Sequence, residues 1–80
     1  KSKAFNNRGT AYYAMENIEQ AIKDYEKAVE LDPKNAEAHY NLGFGYSEAG
    51  NIEQALINYK KAADMGVEKA QDYLREQGIK

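Results

Sequence analysis

Residues 17–21 read NIEQA, and residues 51–55 read the same. Each copy pairs a carboxylate with a side-chain amide, so the repeat could mark two matched active sites or one structural joint made twice. The remaining reactive groups are sparse. His39 is the only histidine, and with no cysteine in the chain it has no co-ligand for a metal and no thiol to activate. The G-F-G-Y run at 43–46 has two of the glycines of a phosphate loop but lacks a third and a preceding strand. Ser2 and Ser47 have no histidine at a spacing that could activate them. Asp24, Glu26 and Glu30 alternate with Lys23 and Lys27, which reads as a solvated helix face and not as a tuned acid–base pair. The residues therefore support neither catalysis nor a metal or other cofactor.

The elements that carry these residues must be small. Eighty residues suggest one domain, and with no cysteine its stability has to come from packing of the 42% hydrophobic content. A formal charge of −2 gives no basic field for a nucleic-acid backbone. No apolar run approaches the roughly 20 residues that span a bilayer. The first residues, KSKAFNNRG, lack the apolar core of a signal peptide. With the missing cysteines, this leads us to expect a cytoplasmic protein.

Sliding the chain by 34 aligns residues 2–35 with 36–69 without a gap, and twelve positions coincide, among them Ala4/Ala38, Gly9/Gly43, Tyr12/Tyr46, Tyr25/Tyr59 and Ala28/Ala62. Apolar residues recur at helical spacing in each copy: Ala21, Tyr25, Ala28 and Val29, then Ala55, Tyr59, Ala62 and Ala63. The first half of each copy has a stripe of its own, Ala4, Phe5 and Tyr12 answered by Ala38, Leu42 and Tyr46. Asn17 with Gln20, and Asn51 with Gln54, have capping-box spacing, Gly50 ends one helix, and Pro33 separates the copies. The pattern predicts helices over 3–15, 18–31, 36–49, 52–64 and 67–77, and no strands.

These residues resemble the tetratricopeptide repeat, a 34-residue helix–turn–helix unit. The second copy supplies His39, Leu42, Gly43, Tyr46, Ala55 and Tyr59 at the family's positions, and the first supplies Phe5, Arg8, Gly9, Tyr12, Ala21, Tyr25 and Pro33. The resemblance implies an all-α, right-handed superhelical stack: repeat one at 2–35, repeat two at 36–66 and a capping helix at 67–77. Gly9, Gly43, Ala21 and Ala55 would let the two helices of a hairpin approach closely. Arg8 stands in place of Leu and His39 in place of a larger aromatic, so packing should differ there. Glu16 stands where the other copy has Gly50, so the first turn is expected to take a different shape. The tail aligns at 34, with Tyr73 opposite His39 and Arg75 opposite Asn41. It also aligns at 32, with Ala70 opposite Ala38 and Leu74 opposite Leu42, the shortened register of the Sel1-like repeat.

In tetratricopeptide arrays the first helix of each unit lines a concave groove. Those positions fall on Lys3, Asn6, Asn7, Thr10, Tyr13 and Ala14, then on Glu37, Tyr40, Asn41, Phe44, Ser47 and Glu48. Tyr13, Tyr40 and Phe44 become candidate aromatic anchors, since exposed aromatics on a concave face mark interaction sites. A subfamily clamps a peptide's terminal carboxylate. Asn41 matches its second-unit asparagine, and Arg75 matches its last basic residue in the 34 register only. Asn6, Thr10 and Gln71 stand where the other clamp residues should be. The resemblance thus implies a non-enzymatic module that holds a protein or peptide partner in the groove. Stacking with further repeats or with copies of itself is the alternative, since arrays of fewer than about three repeats are often insufficient alone.

Overall fold

The computed structural model describes residues 1–78. They form five helices, α1 (Ser2–Ala14), α2 (Ile18–Leu31), α3 (Ala36–Glu48), α4 (Ile52–Asp64) and α5 (Glu68–Glu76). Each lies within one residue of its predicted bounds at either end, and among the described residues there is no strand. Each helix packs against the next, and α1 also reaches α3, so two helical hairpins stack and α5 covers the second. No described helix is long and apolar enough to cross a membrane.

The hairpins close through one contact type. A Cβ built on Gly9 would lie 2.8 Å from Tyr25 Cε1 and 3.2 Å from the Ala21 carbonyl oxygen. One built on Gly43 would lie 3.1 Å from Tyr59 Cδ1 and 3.2 Å from the Ala55 carbonyl oxygen. Each glycine is therefore a seat for the aromatic ring of its own hairpin. Gly45, in the run that mimics a phosphate loop, serves the joint between units, since a Cβ there would meet Ile22 Cγ1 at 3.0 Å. Ala21, Tyr25 and Leu42 form one buried cluster, and Ala55, Tyr59, Ala62, Ala70 and Leu74 form the other.

The turn inside each hairpin is the six-residue motif that ends many helices with a left-handed residue. Asn17 donates its N–H to the Tyr12 carbonyl at 2.9 Å and Glu16 donates to Tyr13 at 2.8 Å. Asn51 and Gly50 repeat this on Tyr46 and Ser47, and Val67 and Gly66 repeat it on Ala62 and Ala63. The first turn therefore keeps the shape of the others, against expectation. Glu16 adopts φ 63° where Gly50 has 85° and Gly66 has 95°. Asn17 and Asn51 cap the following helices by accepting from the backbone N–H of Gln20 and Gln54. Their own N–H groups are taken by the turn, so the glutamine side chains are not needed to complete a box.

Between units, Pro33 stops α2 and Asn35 caps α3. Asn35 Nδ2 donates to Ser2 Oγ, which donates to the Ala28 carbonyl, and His39 Nε2 bonds the Pro33 carbonyl at 2.8 Å. His39 is buried in this joint, a structural role in place of the usual aromatic.

Two expectations need revision. Asp24 is not on a solvated face: it is 4% exposed and takes a two-point ion pair from Arg8, at 2.8 and 2.9 Å. The replacement of Leu by Arg at position 8 thus compensates a buried carboxylate. In the second unit Leu42 and the neutral Asn58 stand at these places, and Asn58 bonds back to the Gln54 carbonyl. Ala4 is exposed although its counterpart Ala38 is buried, because none of the described helices covers that face of α1. The tail follows the 32 register, since Ala70 and Leu74 are buried as Ala38 and Leu42 are. In that register Arg75 replaces the seat glycine, and with Lys69, Asp72 and Glu76 it leaves the outer side of α5 polar.

Glu16→Gly should stabilise the fold. Relief of the left-handed strain, about 1–2 kcal/mol, exceeds the glycine entropy cost of about 0.5–1 kcal/mol. We expect a rise in Tm of roughly 3–6 °C by circular dichroism. The reverse change, Gly50→Ala, should lower Tm by a similar amount, since nothing but its φ restricts that site.

Candidate binding groove

The first helices α1 and α3 carry the candidate residues, and the start of α5 lies beside α3. Along α3, Glu37, Tyr40 and Asn41 line a hollow of about 480 Å³ that is closed on the other side by Val67, Glu68 and Lys69. Farther along, Tyr13, Ala14, Glu16, Ile18 and Glu48 line a second hollow of about 420 Å³. Between them Tyr13 meets Phe44 edge-to-face, with centroids 4.9 Å apart and planes at 71°, a favoured geometry that ties α1 to α3. The Tyr13 hydroxyl donates to Glu48 Oε1 at 3.3 Å.

The candidates do not all face the groove. Asn6 is 2% exposed; its Oδ1 accepts from Asn41 Nδ2 at 3.4 Å and its Nδ2 has no partner. It lies under the face, because α3 packs over it. Thr10 is exposed, but its hydroxyl donates to the Asn6 carbonyl and pairs with the Tyr25 hydroxyl at 3.0 Å. Tyr40 is half-buried and its ring is 5.5 Å from that of Tyr59, which lies 4.2 Å from Tyr73. Tyr40 and Phe44 both pack against the C-terminal core cluster, so they are partly structural. Asn41 and Ser47 are half-buried and Glu37 is exposed. Val67 and Lys69 are wall residues that no repeat offset marks, because their place depends on the register of α5.

The carboxylate clamp is not assembled. Arg75 is held by Asp72 at 2.9 Å, and its match to the clamp required the 34 register that α5 does not follow. Gln71 Nε2 donates to the Ala63 carbonyl of α4.

The tyrosines here and at the unit joint share a perturbed environment. Tyr46 donates to Glu26 Oε2 at 2.6 Å, and burial together with this carboxylate pushes its hydroxyl up to about 12. Burial, then the rings of Tyr40 and Tyr73 and the Glu48 charge, raise Tyr59 further. Tyr13 is raised by desolvation and by Glu48.

A family model described as "TPR repeat" matches residues 9–50, and a second, "Tetratricopeptide repeat", matches residues 36–65. The chain belongs to the tetratricopeptide repeat family. It is similar to RNA polymerase II-associated protein 3 of Homo sapiens, 49% identical over 37 residues, and of Mus musculus, 51% identical over 37 residues. Those matches cover 46% of this chain and only 6% of either relative. Among solved structures, a mutant of MamA superposes with a TM-score of 0.78 at 25% identity, over 84% of this chain and 49% of that one. Tetratricopeptide repeats are protein–protein interaction and scaffold modules, generally without catalytic activity.

The raised tyrosines set a pH dependence. A hydroxyl with a folded pKa above its unfolded value of about 10 contributes stability that is complete below pH 10 and lost as pH rises through the folded value. The urea midpoint should therefore fall between pH 10 and about 12 for Tyr46. Tyr46→Phe should make that fall shallower; an unchanged slope would contradict the assignment.

Proposed function

We propose that this protein is a non-enzymatic interaction module that holds a peptide segment of a partner along α3. The observation that supports the reading is the hollow of about 480 Å³ between α3 and the start of α5, where an aromatic ring, a side-chain amide and an aliphatic residue converge. Tyr40 and Val67 offer apolar surface for one anchor side chain, and the half-buried Asn41 can exchange its long bond to Asn6 for one to a ligand backbone. Glu37 on one wall and Glu68 and Lys69 on the other give the mouth both signs of charge, so the rim favours a ligand that also carries both.

Alanine at Tyr40 and Phe44 would be a poor test, because both rings support the C-terminal core. Asn41→Ala and Glu37→Arg change the mouth and leave that core in place. Peptides selected from a displayed library on the wild-type protein should lose about 10-fold or more in affinity for the double variant, equivalent to ~1.4 kcal/mol. Its melting temperature should fall by several degrees at most, because Asn41→Ala removes only the long bond to the buried Asn6 Oδ1, and the fold should remain. Equal affinity for both proteins, with both folded, would rule out this hollow as the binding site.

A further inference from the structure

Two glutamates of the second hollow, the one of about 420 Å³, sit where a helix does not favour them. Glu48 is the last residue of α3, and Glu16 follows Met15, the C-cap of α1. The carbonyl ends of helices carry partial negative charge, so a carboxylate there is disfavoured and a cation favoured. Neither helix has a basic residue in its last turn. Neither glutamate takes part in an ion pair among the described residues. Glu19 and Glu53 differ, because they lie in the first turns of α2 and α4, where the dipole favours them. Residues 9–22 and 42–59, which form this end of both hairpins, contain no lysine or arginine. The segments around the hollow thus supply negative charge and no cation to offset it.

The walls suit the rest of a basic side chain. Ala14, Ile18 and the Tyr13 ring give the hollow apolar sides. Long cationic side chains bury their stems on such surface and keep the charged head at a polar mouth. Tyr13 is fixed edge-to-face on Phe44, and its hydroxyl makes the one long bond to Glu48, at 3.3 Å.

Position ties this hollow to the one at Tyr40. Tyr40, Phe44 and Glu48 recur every four residues and so share one face of α3. From Tyr40 to Glu48 the helix rises by roughly 12 Å. An extended chain, at roughly 3.3 Å per residue, covers that in about three or four residues.

We propose that the second hollow holds a lysine or arginine side chain of the partner segment, with its stem on Tyr13 and Ile18 and its charge beside Glu16 and Glu48. Resting on the groove reading, this gives the ligand a pattern: an apolar anchor at Tyr40 and Val67, and a basic residue about three or four positions from it. An acidic segment is repelled at this end, and a basic one is drawn to it.

A random peptide library displayed on phage and selected on the wild-type protein tests the pattern. The bound pool should be enriched in lysine or arginine about three or four positions from an apolar residue. A selected peptide should bind the Glu16→Gln/Glu48→Gln protein about 5- to 10-fold more weakly, between the worth of an exposed ion pair and that of a charged hydrogen bond. Glutamine keeps an acceptor for Tyr13, and removing negative charge from a helix C-terminus does not destabilise it, so circular dichroism should show this variant folded. The same peptide with norleucine for its basic residue should bind the wild type as weakly, and should lose nothing further on the glutamine variant. Unchanged affinity for the glutamine variant would overturn the proposal; if Asn41→Ala with Glu37→Arg still weakens binding, the groove reading stands. Weakening by the glutamine variant alone would support the basic site and remove the α3 hollow as its companion. A pool without the basic residue, or no binding peptide at all, would overturn the proposal.

Discussion

Everything in this fold depends on how closely the two helices of a hairpin approach. A methyl group at Gly9 would clash with the Tyr25 ring, and one at Gly43 would be tight against the Tyr59 ring. The aromatic ring lies on bare backbone, and the remaining rings and alanines fill the space around it. That approach fixes the crossing of α1 with α2 and of α3 with α4, and so determines where the outer faces of the first helices point. Groove and unit joint are consequences. In α5 Arg75 stands at the place of the seat glycine, and the outer side of that helix is polar.

Much of this was legible because the chain states it twice. The 34-residue period marks the seat glycines, the capping asparagines and the rings by their recurrence, and the helix bounds follow from capping and proline chemistry. The repeated NIEQA proves to be scaffold: Asn17 and Asn51 cap, and Ala21 and Ala55 lie in the buried clusters. Whatever differs between the copies was harder to read. Arg8 and Asp24 each look like a lapse from the pattern. Only their proximity shows that they compensate one another, at the cost of a charge that Leu42 and Asn58 avoid.

Two further places show the same limit, one misread and one left open between two registers. Asn6 occupies a groove offset, yet α3 covers it, because the offset describes a direction on a helix and not the depth of the neighbour. The tail offered two registers of comparable quality, and burial of Ala70 and Leu74 separates them. Glu16 is the converse case. The residue type argues for a different turn, but the two turn hydrogen bonds hold the backbone in the shape that Gly50 adopts freely. Tertiary context overrides local preference where the bonds at stake outweigh roughly 1–2 kcal/mol of strain.

The claim that close approach governs the fold is most directly tested by the thermal and urea stability of Gly9→Ala. In an ordinary helix interior this change is stabilising by about 1 kcal/mol. Here the added methyl group would meet Tyr25 at 2.8 Å and a backbone oxygen at 3.2 Å. The account predicts a net loss of about 1–3 kcal/mol, as for an overpacked core. Unchanged or increased stability would contradict it.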